Sequence, residues 1–172
     1  MPKNKSLYCI LIFLIVTILS PLTLASDTAQ RHRPNVKQIT DLRIAANEAR
    51  LKKVPILLMF GTTSCPYCRL LKEDFLIPML ISGDYEHRIL IREVHVTPRA
   101  KLIDFSGEDI SVKEFKKRYK VRLYPTTIFI DANGKQLVDS ILGVTTPSLF
   151  GGILDDQIDR ALAKLKKETS DT

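Results

Sequence analysis

Apolar residues along this chain change period several times, and each change marks an element. Ile39, Leu42, Ile44, Ala45, Ala46, Ala49 and Leu51 recur at helical spacing, so residues 38–52 read as an amphipathic helix that stops before Pro55. Val54 to Phe60 is continuously apolar, which suits a strand covered on both faces. A helix-like stretch starts at Arg69 and reaches about Leu80, with Pro78 expected to kink or end it. Ser82-Gly83-Asp84 is a turn, and Ile89 to Val96 a second buried strand. Thr97 to Ile110 forms a longer link, after which Ser111-Val112-Lys113-Glu114 matches a capping box opening a helix to about Lys120. Tyr124 to Ile130 is a third strand, Asp131-Ala132-Asn133-Gly134 a hairpin turn, and Lys135 to Leu142 a fourth strand. Leu149, Ile153, Leu154, Ile158, Leu162 and Leu165 line one face of a closing helix.

Helices alternating with strands, with a hairpin near the end, call for an α/β domain: a central mixed sheet flanked by helices. No internal repeat or second domain is visible, so one domain over residues 38–167 is expected, with a polar tail at 168–172. Ahead of it, Lys3 and Lys5 precede the apolar run Leu7 to Leu19, then Pro21 and Thr23-Leu24-Ala25, the layout of an export signal cleaved after Ala25. The alternative is an uncleaved anchor, because Leu7 to Ala25 carries no charge and approaches the roughly 20 residues that span a bilayer. Residues 26–37 form a polar, flexible lead-in. Either outcome puts the domain outside the cytoplasm, in the periplasm or held at the inner membrane, where disulfides persist.

Chemistry concentrates at one place. Cys65-Pro66-Tyr67-Cys68 follows the apolar strand directly and opens the next helix. A thiol at a helix N-terminus meets free backbone N–H groups and the positive end of the dipole, which favour the thiolate. Cys65 is therefore the expected nucleophile and Cys68, one turn on, the more buried resolving thiol. Pro66 suits the first helical turn, where its missing N–H has no intrahelical acceptor to lose. Half a zinc site and a static disulfide are the other readings of such a pair. A four-ligand zinc site needs further ligands, and the rest of the chain offers Cys9, His32, His87 and His95, with Cys9 inside the export segment. A copper(I) chaperone using the two thiols with His87 or His95 is the competing function, although neither histidine has motif-like spacing to the cysteines.

Charge adds little. The chain carries a formal +7, and the export segment takes two lysines and no acid with it. Lys116-Lys117-Arg118 and Lys164 with Lys166-Lys167 read as solvated helix faces, and no aromatic-interleaved basic stripe points to nucleic acid.

Three features together give the chain a resemblance to the thioredoxin-fold family over about residues 38–167. They are the apolar strand leading into Cys65-Pro66-Tyr67-Cys68, the segment Tyr119 to Asp131 with Leu123-Tyr124-Pro125, and the Gly134 hairpin. Within that fold it most resembles exported thioredoxin-related proteins of the SoxW type, through Phe105-Ser106-Gly107-Glu108 and a closing helix near Phe150-Gly151-Gly152. The resemblance implies thiol–disulfide exchange without a bound cofactor or metal, in the direction of reducing exported proteins with oxidase- or isomerase-like action as the alternative, and it implies that Pro125 is a cis-proline facing the disulfide. It implies that Tyr124, Pro125, Pro66 and Tyr67 meet the substrate. The implied partners are exported proteins bearing a disulfide or dithiol and a membrane electron donor, with the domain acting as a monomer. Glutaredoxins share the tetrapeptide but carry Thr-Val-Pro where this chain has Leu123-Tyr124-Pro125, and disulfide isomerases need a dimerisation domain for which the stretch before residue 38 is too short. Two departures stand out: Ser64 replaces the usual tryptophan before the first cysteine, and Met59 replaces the buried aspartate that moves protons for the resolving thiol. Glu73 and Asp74 lie on the following helix and Glu93 on the next strand, none of them placed against Cys68 by the sequence, so a substituted acid, a water or slower resolution all stay open. Arg69 and Lys72 read as cations able to favour a thiolate or as solvated helix residues.

Overall fold

Strand β1 (Ile56–Gly61) is buried along its whole length, and its alternation explains why. Leu57 and Met59 enter one apolar cluster, with Leu71, Leu76, Phe129, Phe150 and Leu154. Ile56, Leu58 and Phe60 enter another, with Leu42, Ala45, Phe115 and Ile128. Successive side chains of a strand point to opposite faces, so a strand covered on both sides is apolar throughout. The computed structural model describes residues 34–171. The expected export signal at 1–25, the lead-in as far as residue 33 and Thr172 lie outside the described residues.

Around β1 the sheet runs β2 (Leu90–His95), β1, β5 (Thr126–Ile130), β6 (Gln136–Leu142). β1 and β2 are parallel, whereas β1 with β5 and β5 with β6 are antiparallel, so the sheet is mixed. Helix α1 (Leu42–Lys52) starts four residues later than its periodicity suggests. Gln38 pairs in parallel with Glu93 and the Ile39 N–H donates to the Glu93 carbonyl at 2.9 Å, so this stretch is drawn onto the free edge of β2 before the Asp41 cap opens the helix. The end of the expected flexible lead-in is tied down for the same reason: Val36 is 3 % exposed and the Lys37 carbonyl accepts the Glu93 N–H at 3.0 Å.

After the cysteine pair the chain is helical from Pro66 to Ser82 in three parts. They are α2 (Pro66–Leu70), a π-helical stretch (Leu71–Leu76) and α3 (Ile77–Ser82). Pro78 neither ends this run nor stands alone as its irregularity. The wider turn before it, in which the Ile77 N–H reaches back to the Lys72 carbonyl, admits a residue that has no N–H and would clash with the carbonyl four back. Gly83, at φ 76°, stops the helix.

Residues 97–110, expected as a plain link, contain a small hairpin, β3 (Lys101–Ile103) against β4 (Asp109–Ser111). Helix α4 (Val112–Arg118) then opens with a complete capping box, the Ser111 hydroxyl and the Glu114 carboxylate each meeting the other's backbone N–H. Helix α5 (Pro147–Ser170) buries Phe150, Leu154, Ile158 and Ala161. Its stripe is offset from the expected one, leaving Leu149 at 63 % and Ile153 at 42 % exposure, because Phe150 turns inward to stack edge-on against Phe75 at 4.9 Å. Among the described residues no helix is long and apolar enough to cross a membrane.

Candidate active site

Cys65 is the N-cap of α2. Its backbone is extended (φ −115°, ψ 102°), and its Sγ accepts the Cys68 N–H at 3.1 Å. Pro66 occupies the first turn, where no donor is lost. The two cysteines are disulfide-bonded with Cα atoms 5.2 Å apart. Cys65 is half-buried, whereas Cys68 is 2 % exposed among Met59, Leu71 and Leu76. An incoming group therefore reaches one sulfur much more easily than the other. Tyr67 projects into solvent at 59 % exposure.

The start of β5 lies at the same end of the sheet. The Tyr124–Pro125 peptide bond is cis, and Pro125 is buried. Thr126 pairs with Phe60, so Pro125 stands at the end of the sheet where β1 hands over to the cysteine loop. The Thr126 hydroxyl donates to the Leu123 carbonyl at 2.8 Å and the Gly143 N–H to the Pro125 carbonyl at 2.8 Å, fixing the bend from both sides. Tyr124 is half-buried; the Lys116 ammonium donates to its hydroxyl at 2.9 Å and lies 5.3 Å from its ring centre. Leu123, beside it, is 44 % exposed.

Of the three candidate acids, Glu73 and Asp74 are exposed, while Glu93 is 2 % exposed. Glu93 is in register with Met59 on the neighbouring parallel strand, so it shares the face of the sheet on which Cys68 packs. Lys72, one turn beyond Cys68, donates to both Glu93 carboxylate oxygens at 3.2 Å. The Lys72 charge is thus committed to a carboxylate instead of standing free beside a thiolate. Arg69 is exposed on the same helix. A cavity of about 510 Å³ adjoins both cysteines and is walled by Thr63, Arg69, Lys72, Glu73 and Asn35 among others.

His87 is exposed, and His95 lies at the end of β2 with Nε2 3.1 Å from the Thr63 hydroxyl. Its Nδ1 is buried and unpartnered, so the ring is half satisfied. Among the described residues no group of three or more His, Cys, Asp or Glu side chains is placed to hold a metal ion.

A model of the thioredoxin-like domain matches residues 42–158, more than half of the chain. The chain belongs to the thioredoxin-like domain family. A solved structure shares this fold at low identity. DsbH oxidoreductase is 20 % identical with a TM-score of 0.51, the match covering 76 % of this chain and 88 % of that one. A poplar thioredoxin h is 21 % identical with a TM-score of 0.48, over 72 % and 97 % of the two chains. No curated protein matches the chain. Within this thioredoxin-like fold Cys65 and Cys68 form a close, disulfide-bonded Cys-x-x-Cys pair. The sequence named Glu93 without placing it, offered Lys116 only as part of a solvated helix face where the structure turns it onto the Tyr124 hydroxyl, and did not single out Gly61. A carboxylate inside the apolar run Ile89–Val96 was the signal for the first.

Proposed function

We propose that this chain is an exported thiol–disulfide oxidoreductase that reduces disulfides in extended segments of other exported proteins. The observation that carries this reading is the asymmetry of the pair: Cys65 half-exposed at a helix N-cap, Cys68 at 2 % exposure behind it. In the dithiol form the Cys65 thiolate attacks a substrate disulfide and expels one substrate thiolate, which takes up a proton. Cys68 then attacks Cys65 Sγ, breaking the mixed disulfide and expelling the second substrate thiolate. Two electrons pass to the substrate, and the Cys65–Cys68 bond closes. A membrane thiol–disulfide donor restores the dithiol at the cost of its own oxidation.

Tyr67 and Leu123 are exposed and Tyr124 half-buried, and in this reading they offer apolar surface to an extended chain whose backbone meets the turn at Pro125. Export rests on the signal-like residues 1–25, and the reductive direction rests on resemblance to the SoxW type. The test is capture. Cys68→Ser expressed with its leader is expected to accumulate mixed disulfides with periplasmic proteins through Cys65, resolved by a non-reducing gel. Absence of any such adduct, with the protein exported and Cys65 free, would overturn the reading.

A further inference from the structure

Resolution of the mixed disulfide needs the Cys68 thiol to lose its proton while 2 % exposed, in a setting where a bare thiolate is costly to form. A base within that setting lowers the cost only if it is ionised, buried beside the sulfur and able to return its proton to solvent. Resting on the exchange reading above, we infer that Glu93 is the base that takes the proton of Cys68, and that Gly61 keeps the path between them open.

Three observations carry this. Glu93 and Cys68 flank a single point: a Cβ built on Gly61 would stand 3.3 Å from Glu93 Oε1 and 3.4 Å from Cys68 Sγ, with the flexible Met59 methyl at 3.0 Å on a third side. Gly61 has no left-handed backbone that demands glycine, so its service is the space it leaves. Glu93 is held by both a side chain and its own backbone. Lys72 donates to both oxygens, and the Glu93 N–H and carbonyl bond to Lys37 and Ile39 of the segment that closes the sheet edge. Lys72 in turn walls the cavity that reaches the cysteines and keeps a quarter of its side-chain surface exposed, which connects the buried carboxylate to bulk water. The ionisable groups around that cavity are Cys65, Cys68, Arg69, Lys72 and Glu73, and His95 lies on the Glu93 strand two residues on.

In the resolving step the Cys68 S–H proton moves to the Glu93 carboxylate as Cys68 Sγ bonds to Cys65 Sγ. The Cys65–substrate S–S bond breaks with its electron pair on the substrate sulfur. The neutral carboxyl then gives its proton back to solvent on the Lys72 side, and in the opposite direction of exchange the same group supplies it.

Dithiobis-nitrobenzoate is the probe, because one trace reads both steps. Attack by Cys65 releases the first coloured thiolate, and resolution by Cys68 releases the second. Glu93→Gln, which keeps the shape and loses the base, is expected to leave the first release unchanged and slow the second on the order of 10²-fold near neutral pH. Its second release should also follow thiol ionisation alone, rising with pH into the alkaline range, while the wild type levels off earlier. Gly61→Ala, which keeps Glu93 and Lys72 and fills the gap, should slow the second release by about tenfold. Equal second releases in wild type and Glu93→Gln across the pH range would overturn the inference. Should that variant not fold, an unchanged second release in Gly61→Ala overturns it alone. A wild-type protein that gave no second release at all would sink the exchange reading itself along with the inference.

Discussion

Asp104 and Glu93 are two carboxylates at 3 % and 2 % exposure in one small domain, and their surroundings have little in common. Asp104 Oδ1 accepts the Ser106 hydroxyl at 2.6 Å, the Ser106 N–H at 2.9 Å and the Glu108 N–H at 3.1 Å, while Oδ2 accepts Arg118 at 2.8 Å. Three of these donors belong to the loop that leads into β4 and the fourth to the end of α4. Among the described residues the Glu93 carboxylate has one hydrogen-bond partner, Lys72, shared between its two oxygens, and the space beside its Oε1 at Gly61 is bordered by the Met59 methyl and the Cys68 sulfur. A buried carboxylate with four donors holds a loop in shape. One with a single side-chain donor, beside a redox sulfur and a glycine, is placed to act as the base inferred above.

If that contrast is right, substitutions on the Glu93 side move rates and stability together, and those on the Asp104 side move stability alone. Lys72→Met leaves Glu93 buried without its cation and is expected to cost up to about 3 kcal/mol, read as a lower urea midpoint, together with slower mixed-disulfide resolution. Asp104→Asn should cost about 1–3 kcal/mol with the kinetics of both sulfur steps unchanged; a kinetic defect there would break the contrast.

Acid and alkali sharpen it further. The Ser106 hydroxyl, with Arg118 and the two loop N–H groups, holds the Asp104 carboxyl well below the usual carboxylate range. Its contribution is therefore complete above the unfolded value of about 3.9 and drains away as pH falls below it. Asp104→Asn should flatten the acid limb of a stability–pH curve measured by urea unfolding. Tyr119 titrates at the other end, its phenol pushed up to about 12, chiefly by burial. Its contribution is present below about 10 and is lost as pH rises from there through the folded value, so Tyr119→Phe should flatten the alkaline limb.

Smaller effects surround the same loop. Gly134 lies at φ 83° with the Phe105 ring 2.7 Å from where a Cβ would sit, so Gly134→Ala should lower stability by about 1–2 kcal/mol with exchange intact. Ser111→Ala removes half of the capping box on α4 and is expected to cost about 1 kcal/mol, seen as a Tm lowered by several degrees.

Much of this was legible from residue order because it is local. The capping box, the Gly134 turn and the two-faced strand β1 each depend on neighbours within a few positions. What escaped depends on pairing between distant segments. The side of the sheet on which Glu93 lies follows from its register with Met59, which neither strand contains by itself. The inward turn of Phe150 follows from Phe75, and the straightening of residues 38–41 from the free edge of β2. The π-helical turn before Pro78 is a tertiary accommodation of a residue that local rules treat as a breaker. At the site, spacing was enough to set the two cysteines on a helix start, whereas the acid behind them came from another strand.

The central claim is that Cys65 and Cys68 form a redox pair that cycles as a reductant, and an equilibrium titration tests it most directly. Purified domain is poised in defined dithiol/disulfide buffers, its free thiols are trapped, and the fraction oxidised is read by mass. The account predicts one two-electron transition near the thioredoxin value of roughly −270 mV. A pair that stays locked in one state, or a potential approaching the roughly −120 mV of the strongest oxidants, would contradict it.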